Sequence, residues 1–209
     1  SVQADSDRAL LEECLSHLAK VGFVADALTP YQSSIGGAAV RLAKNILAKN
    51  EGLLVHPLGF GRIPLTPWSM DQPRAAVHIW DGNAGLKQSE DIHDHCYDFI
   101  SLCHVGGLRH RIFDVAQDVT EVRLMAMAYA AGSCTTARSS RQLRDIKIAE
   151  IRTMQITTGE ACGFSHDVFH SAEATSEFTL TVQFQSPWKK NEATVFRAEG
   201  WQSLSSNTS

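Results

Sequence analysis

The chain has 209 residues, is 44% hydrophobic and 20% charged, and carries a formal charge of −4. That size and composition suit one globular unit with a sizeable core. The balance supplies no large positive field, which argues against nucleic acid or an anionic membrane as partner, and no run approaches the ~18 consecutive apolar residues of a spanning helix.

The first stretch, S-V-Q-A-D-S-D-R, lacks the basic-then-apolar layout of a secretory signal. The five cysteines, Cys14, Cys96, Cys103, Cys134 and Cys162, are odd in number and include no C-x-x-C pair. They point to a reducing, cytoplasmic setting and to thiols that pack, not to a disulfide or zinc-knuckle scaffold.

A helix is expected through D-R-A-L-L-E-E-C-L-S-H-L-A-K-V, capped by Asp5 or Ser6 and stopped at Gly22. Its Leu10, Leu11, Cys14, Leu15 and Leu18 recur at helical spacing and form one buried stripe. A second helix fits G-A-A-V-R-L-A-K-N-I-L-A-K-N, with Val40, Leu42, Ala43, Ile46 and Leu47 inward and its stop at Asn50 to Gly52.

From residue 53 the pattern changes to strands and turns. A-A-V-H-I-W is a strand, and a longer one runs from about His93 to Val105. Gly106-Gly107 reads as a hairpin turn from which L-R-H-R-I-F-D-V pairs back. V-R-L-M-A-M-A-Y, I-K-I-A-E-I-R-T-M-Q-I and F-T-L-T-V-Q-F-Q are further strands, and S-C-T-T-A-R-S-S-R-Q-L-R-D is a polar, basic loop. Short strands at roughly ten-residue spacing predict a mainly β, antiparallel barrel or sandwich. The expected organisation is a helical segment over 1–52, a barrel over 53–200 and a flexible tail over 201–209.

The chemistry concentrates in histidines. In I-H-D-H-C-Y-D-F, His93 and His95 stand two apart, so on a strand their imidazoles project from one face and can share an ion. The third candidate lies in T-G-E-A-C-G-F-S-H-D-V-F-H-S, where His166 and His170 follow a turn glycine. His93, His95 and His170 are the metal ligands this predicts. Asp94 or Asp98 could join only if a bulge changes their parity.

These motifs resemble those of the cupin superfamily, whose first motif pairs two histidines one residue apart ahead of an acidic ligand and a turn glycine. H-D-H matches the pair and Gly106 or Gly107 the turn, while the acidic position falls on Phe99 or Ile100. In the second motif Gly159 and His170 match, whereas the internal proline and second glycine do not. The resemblance covers about residues 75 to 186 and implies a jelly-roll barrel with a metal at His93, His95 and His170. The missing carboxylate makes the centre similar to the three-histidine iron sites of thiol dioxygenases, a branch in which I-H-D-H also occurs. That branch's serine–histidine–tyrosine relay has no counterpart, because no tyrosine follows Tyr129.

Imidazoles suit Fe(II), Zn(II) and Ni(II) alike. The expected function is a mononuclear non-haem iron oxygenase using molecular oxygen on a small polar molecule, one carrying a carboxylate or a thiol. The alternatives are a zinc- or nickel-dependent isomerase, lyase or hydrolase and a non-catalytic ligand-binding cupin. Tyr97 and His166 are the candidate catalytic groups. Ser101 and Cys103 share the inward parity and would line the cavity, and Arg109 or Arg111 could clamp a carboxylate. A homodimer is the assembly that the cupin resemblance implies.

Overall fold

The computed structural model describes residues 1–49, 52–56, 58–116, 124–130 and 140–198, with side chains outside 115–148, 192 and 196–198. The expected stop at Asn50, the 201–209 tail and Cys134 lie outside the described residues.

Helix α1 spans Val2–Val21 and starts ahead of both expected caps, because the Ser1 hydroxyl accepts the Ala4 N–H. Leu11, Cys14, Leu15 and Leu18 are buried along one stripe, as their spacing predicts. Gly22 ends the helix at φ 108°, a region open to glycine, and donates its N–H to the Leu18 carbonyl at 2.8 Å. After a 3-10 turn at Ala25–Leu28, helix α2 spans Ile35–Leu47.

The buried face of α2 is Ile35, Gly36, Ala38, Ala39, Leu42 and Ala43, while Val40 and Ile46 are half-buried and Leu47 is exposed. The stripe is thus rotated toward small residues, which brings the helix close to the sheet beneath. A Cβ on Gly36 would meet His104 Nδ1 at 2.7 Å. Buried Asp7 ties the helices together through a two-bond ion pair with Arg41 at 2.7 and 2.9 Å.

Twelve strands follow: β1 (Leu54–Val55), β2 (Gly61–Pro64), β3 (Arg74–Asp81), β4 (Ile92–His93), β5 (Phe99–Val105), β6 (Gly107–Ala116), β7 (Leu124–Ala130), β8 (Ser140–Thr157), β9 (Ala161–Phe164), β10 (Phe169–Ala174), β11 (Phe178–Gln185) and β12 (Glu192–Ala198). All pairings among the described residues are antiparallel. The expectation of one closed jelly-roll barrel is corrected here. Among the described residues the strands divide into two separately hydrogen-bonded sheets, and no strand pairing joins them into a single barrel. The first, β1-β2-β3-β11-β5-β9, is open, with β1 and β9 as edges. The second has the order β10-β4-β12-β7-β8-β6, and β6 pairs back to β10.

Two local expectations change with it. The run from His93 to Val105 is interrupted at 94–98, so β4 belongs to one sheet and β5 to the other. Gly106 is likewise a crossing between sheets, not a hairpin, since β5 pairs with β11 and β9 while β6 pairs with β8 and β10. Its φ of +81° and the 2.5 Å from a hypothetical Cβ to the Phe178 carbonyl explain why glycine stands there. The basic stretch expected as a loop enters β8 at Ser140.

Side-chain alternation gives the open sheet two unlike faces. Ile63, Ala75, Val77, Ile100, Leu102, Val182 and Phe184 pack with the helices into one apolar core. The alternate residues Arg62, Arg74, His78, Ser101, Thr181, Gln183 and Gln185 are also buried, on the face toward the second sheet. Burying so many polar groups is unfavourable unless they meet polar partners or a polar ligand. That face forms one wall of the site.

Candidate metal centre

The second sheet supplies the other wall. His93 on β4 and His170 on β10 are cross-strand partners, and both are almost fully buried, at 4% and 2% exposure. His95 comes from the bent segment after β4, held by its N–H to the His166 carbonyl at 3.2 Å. One ring nitrogen of each of His93, His95 and His170 lies within 4.8 Å of the others. Ring centroids are 4.7 Å apart for His93–His95, 4.7 Å for His93–His170 and 5.1 Å for His95–His170.

The hydrogen bonds fix which nitrogens are free. His93 Nδ1 meets the Asp91 carbonyl at 2.7 Å, and His170 Nδ1 meets the Val168 carbonyl at 3.2 Å. A carbonyl only accepts, so each Nδ1 carries the proton and each Nε2 presents its lone pair. His95 Nε2 is buried without a hydrogen-bond partner. Burial pushes the His93 pKa down to about 4, and burial together with the neighbouring rings holds His95 and His170 well below the usual imidazole value. The rings are therefore neutral at pH 7, as coordination requires. These residues form a three-histidine metal-binding site, and the same donor set fits iron, zinc or nickel.

Around the triad is a small cavity lined by groups from both sheets, among them Arg62, His78, Glu90, Tyr97, Ser101 and His110. Glu90 brings a carboxyl oxygen to 3.9 Å from His93 Nε2. Burial raises its pKa to about 8, so it is largely protonated at pH 7. His110 is 2% exposed with both ring nitrogens lacking a partner, and burial takes its pKa down to about 3.

The other expected site residues fall as follows. Tyr97 lines the cavity, its ring 5.0 Å from that of His95 and its hydroxyl accepting from Gln185 Nε2 at 3.1 Å. Ser101 lines it as well. Cys103 is fully buried in the apolar cluster beside the cavity, and its thiol contacts the Val105 carbonyl at 3.5 Å. His166 is 30% exposed and outside the lining, with Nδ1 2.8 Å from Asp98. Arg109 and Arg111 point outward, 44% and 48% exposed, and pair with Glu173 and Glu150. Asp94 faces away from the triad, accepting from Lys190 Nζ and the Thr194 N–H.

Sequence reasoning missed Glu90, His110 and Arg62. His110 had a readable signal: Leu108, His110 and Ile112 share a parity opposite to Arg109 and Arg111, so the apolar neighbours mark the inward side. Glu90 lies upstream of the histidine pair, where the cupin motif places no carboxylate.

The sequence matches no protein-family profile and no curated protein. Its likeness to known proteins is to solved structures. KdgF from Halomonas sp. shares 15% identity at a TM-score of 0.39, over 68% of this chain and 92% of that one. An RmlC-like cupin from Shewanella frigidimarina NCIMB 400 shares 13% at 0.35, over 64% and 80%. The DMSP lyase DddQ from Ruegeria pomeroyi DSS-3 shares 10% at 0.39, over 68% and 54%. Identities and scores of this size transfer no activity. Among the described residues, no helix is long and apolar enough to cross a membrane.

Proposed function

We propose that this chain is a cupin-type, mononuclear non-haem iron oxygenase acting on a small polar molecule, with Fe(II) held by His93, His95 and His170. The observation that carries the reading is the convergence of three neutral imidazoles at one cavity lined by both polar and apolar side chains. Three protein ligands leave coordination positions for substrate, which separates a catalytic site from a closed structural one. Iron bound there would supply redox chemistry with molecular oxygen, which zinc does not offer.

The chain's own residues would bind and orient. Asp91 and Val168 carbonyls fix the tautomers and ring planes of His93 and His170. Tyr97 and Ser101 place hydroxyls on the cavity wall, where they can hydrogen-bond a polar substrate. Phe99, Phe164 and Trp80 are buried beside the triad and keep water from that side.

A second reading, a zinc or nickel isomerase, lyase or hydrolase, is favoured by Glu90. A buried carboxyl 3.9 Å from His93 is placed to hold or move a substrate proton. Metal analysis of anaerobically purified protein, joined to oxygen uptake with a panel of small acids and thiols, separates the two. Iron with substrate-triggered uptake supports the oxygenase. Stoichiometric zinc or nickel without uptake replaces it with the second reading.

A further inference from the structure

Arg62 is an unusual residue in this site. It sits on β2 directly opposite His78 on β3, is only 7% exposed, and lines the same cavity as the triad. Its neighbour Ile63 packs into the helix-facing core, so alternation turns the Arg62 side chain toward the second sheet. Among the described residues its guanidinium has no hydrogen-bond or ion-pair partner, in contrast to Arg41, Arg109 and Arg111, which each hold a carboxylate. Glu90, a carboxyl group lining the same cavity from the second sheet, approaches His93 instead. Groups around Arg62 register its charge: burial lowers the pKa of both His56 and His78, the Arg62 guanidinium lowers both further, and His56 also feels His93. The His56 ring therefore lies within electrostatic reach of both the guanidinium and the triad.

A guanidinium is always charged, and holding one this far from solvent without a counter-charge is unfavourable. Such a cost persists where a bound anion offsets it. The rigid fork of N–H donors matches a planar carboxylate through two parallel bonds. A substrate held in this way would have its carboxylate fixed at β2 and the rest of its length directed across the cavity to the triad.

We propose that Arg62 is the anion-recognition group of this site and that the substrate is a small carboxylate. The assignment deepens the functional reading above and rests on it for the position of the metal, but it can fail separately.

The test compares wild-type protein with Arg62→Met and Arg62→Lys, each first shown to bind metal as wild type does. Acetate, propanoate and pyruvate are titrated in low-chloride buffer, with inorganic sulfate and phosphate as tetrahedral anions. Melting temperature and the fluorescence of cavity-lining Trp80 are read for the metal-free and metal-loaded forms. The expected result has four parts. A carboxylate raises the wild-type melting temperature. Arg62→Met melts no lower than wild type without anion, because an unpaired buried charge is gone. Arg62→Met loses at least ten-fold in carboxylate affinity, and Arg62→Lys recovers part of it.

Equal carboxylate binding by wild type and Arg62→Met overturns the assignment while leaving the metal site intact. So does a preference for sulfate or phosphate over every carboxylate. A sharply lower melting temperature for anion-free Arg62→Met also overturns it, by showing that the arginine is structural. Loss of metal in wild type would instead remove the underlying functional reading.

Discussion

Replacing His170 by alanine separates the packing role of that ring from its role toward a metal. The side chain is 2% exposed and stacks on Phe164 with centroids 4.9 Å apart and planes at 8°. It also contacts Phe99, His93 and His95. Truncating a buried ring of this size costs ~3 kcal/mol, the low end of the range for Phe→Ala. The lost Nδ1–H bond to the Val168 carbonyl adds ~1 kcal/mol. The metal-free variant is therefore expected to be ~4 kcal/mol less stable than metal-free wild type.

Metal linkage is a separate quantity. An ion supplied at a hundred times its Kd stabilises wild type by ~2.7 kcal/mol, which for a protein of this size raises Tm by roughly 5–11 °C. That increment should vanish in His170→Ala. His170→Gln keeps more of the volume and should recover part of the packing loss without recovering the increment. The assay is urea unfolding and thermal melting of chelator-treated protein, with and without Fe(II) or Zn(II) under anaerobic conditions, plus metal content after gel filtration. Equal metal-induced stabilisation of wild type and both variants, or a stoichiometric ion surviving in them, refutes His170 as a necessary ligand.

Arg109→Ala and Arg111→Ala should leave metal content and turnover unchanged and shift stability by no more than ~1 kcal/mol, since both pairs are exposed; activity assays and urea midpoints check this. Gly106→Ala should cost ~1–3 kcal/mol, because the residue holds φ +81° with the Phe178 carbonyl 2.5 Å from its new Cβ; a melt within 1 °C of wild type would contradict the crossing geometry. Burial takes the His56 pKa down to about 3, against ~6.5 when unfolded, so between those values the unfolded chain binds the extra proton. Its contribution is complete above pH ~6.5 and is lost as pH falls toward 3, at up to ~1.4 kcal/mol per pH unit. Replacing His56 by phenylalanine should remove about one proton from the pH slope of unfolding free energy between pH 4 and 6, and an unchanged slope would show that His56 titrates normally in the fold.

What could be read from the sequence depended on how local the cause was. Both helices follow from side-chain spacing within a few turns, and β11 occupies Phe178–Gln185, the run whose strand character was plain. The sheet partners were not readable, because β5 prefers β11 and β9 over its chain neighbour β6 through contacts far along the sequence. The same non-locality hid Arg62. Nothing within F-G-R-I-P shows that its arginine will be enclosed, and only the pairing of β2 with β3 and the packing of Ile63 on the helices decide it.

The histidine pair shows how a sequence argument can reach the right neighbourhood by the wrong route. Parity on one continuous strand was the reason for aiming His93 and His95 at a common point. Instead the strand ends at His93, and the segment 94–98 carries the chain from one sheet to the other. His95 approaches from that crossing, its backbone tied to His166, whose side chain is held in turn by Asp98. His166 and Asp98 thus gain a role that neither a catalytic nor a ligand assignment foresaw: they set the path of the crossing and hence the position of His95. A two-residue spacing brings both rings together here because the chain bends between the two sheets and both walls face one cavity. The triad is consequently sensitive to how the sheets sit against each other, and changes at the crossing should reach the metal without touching a ligand.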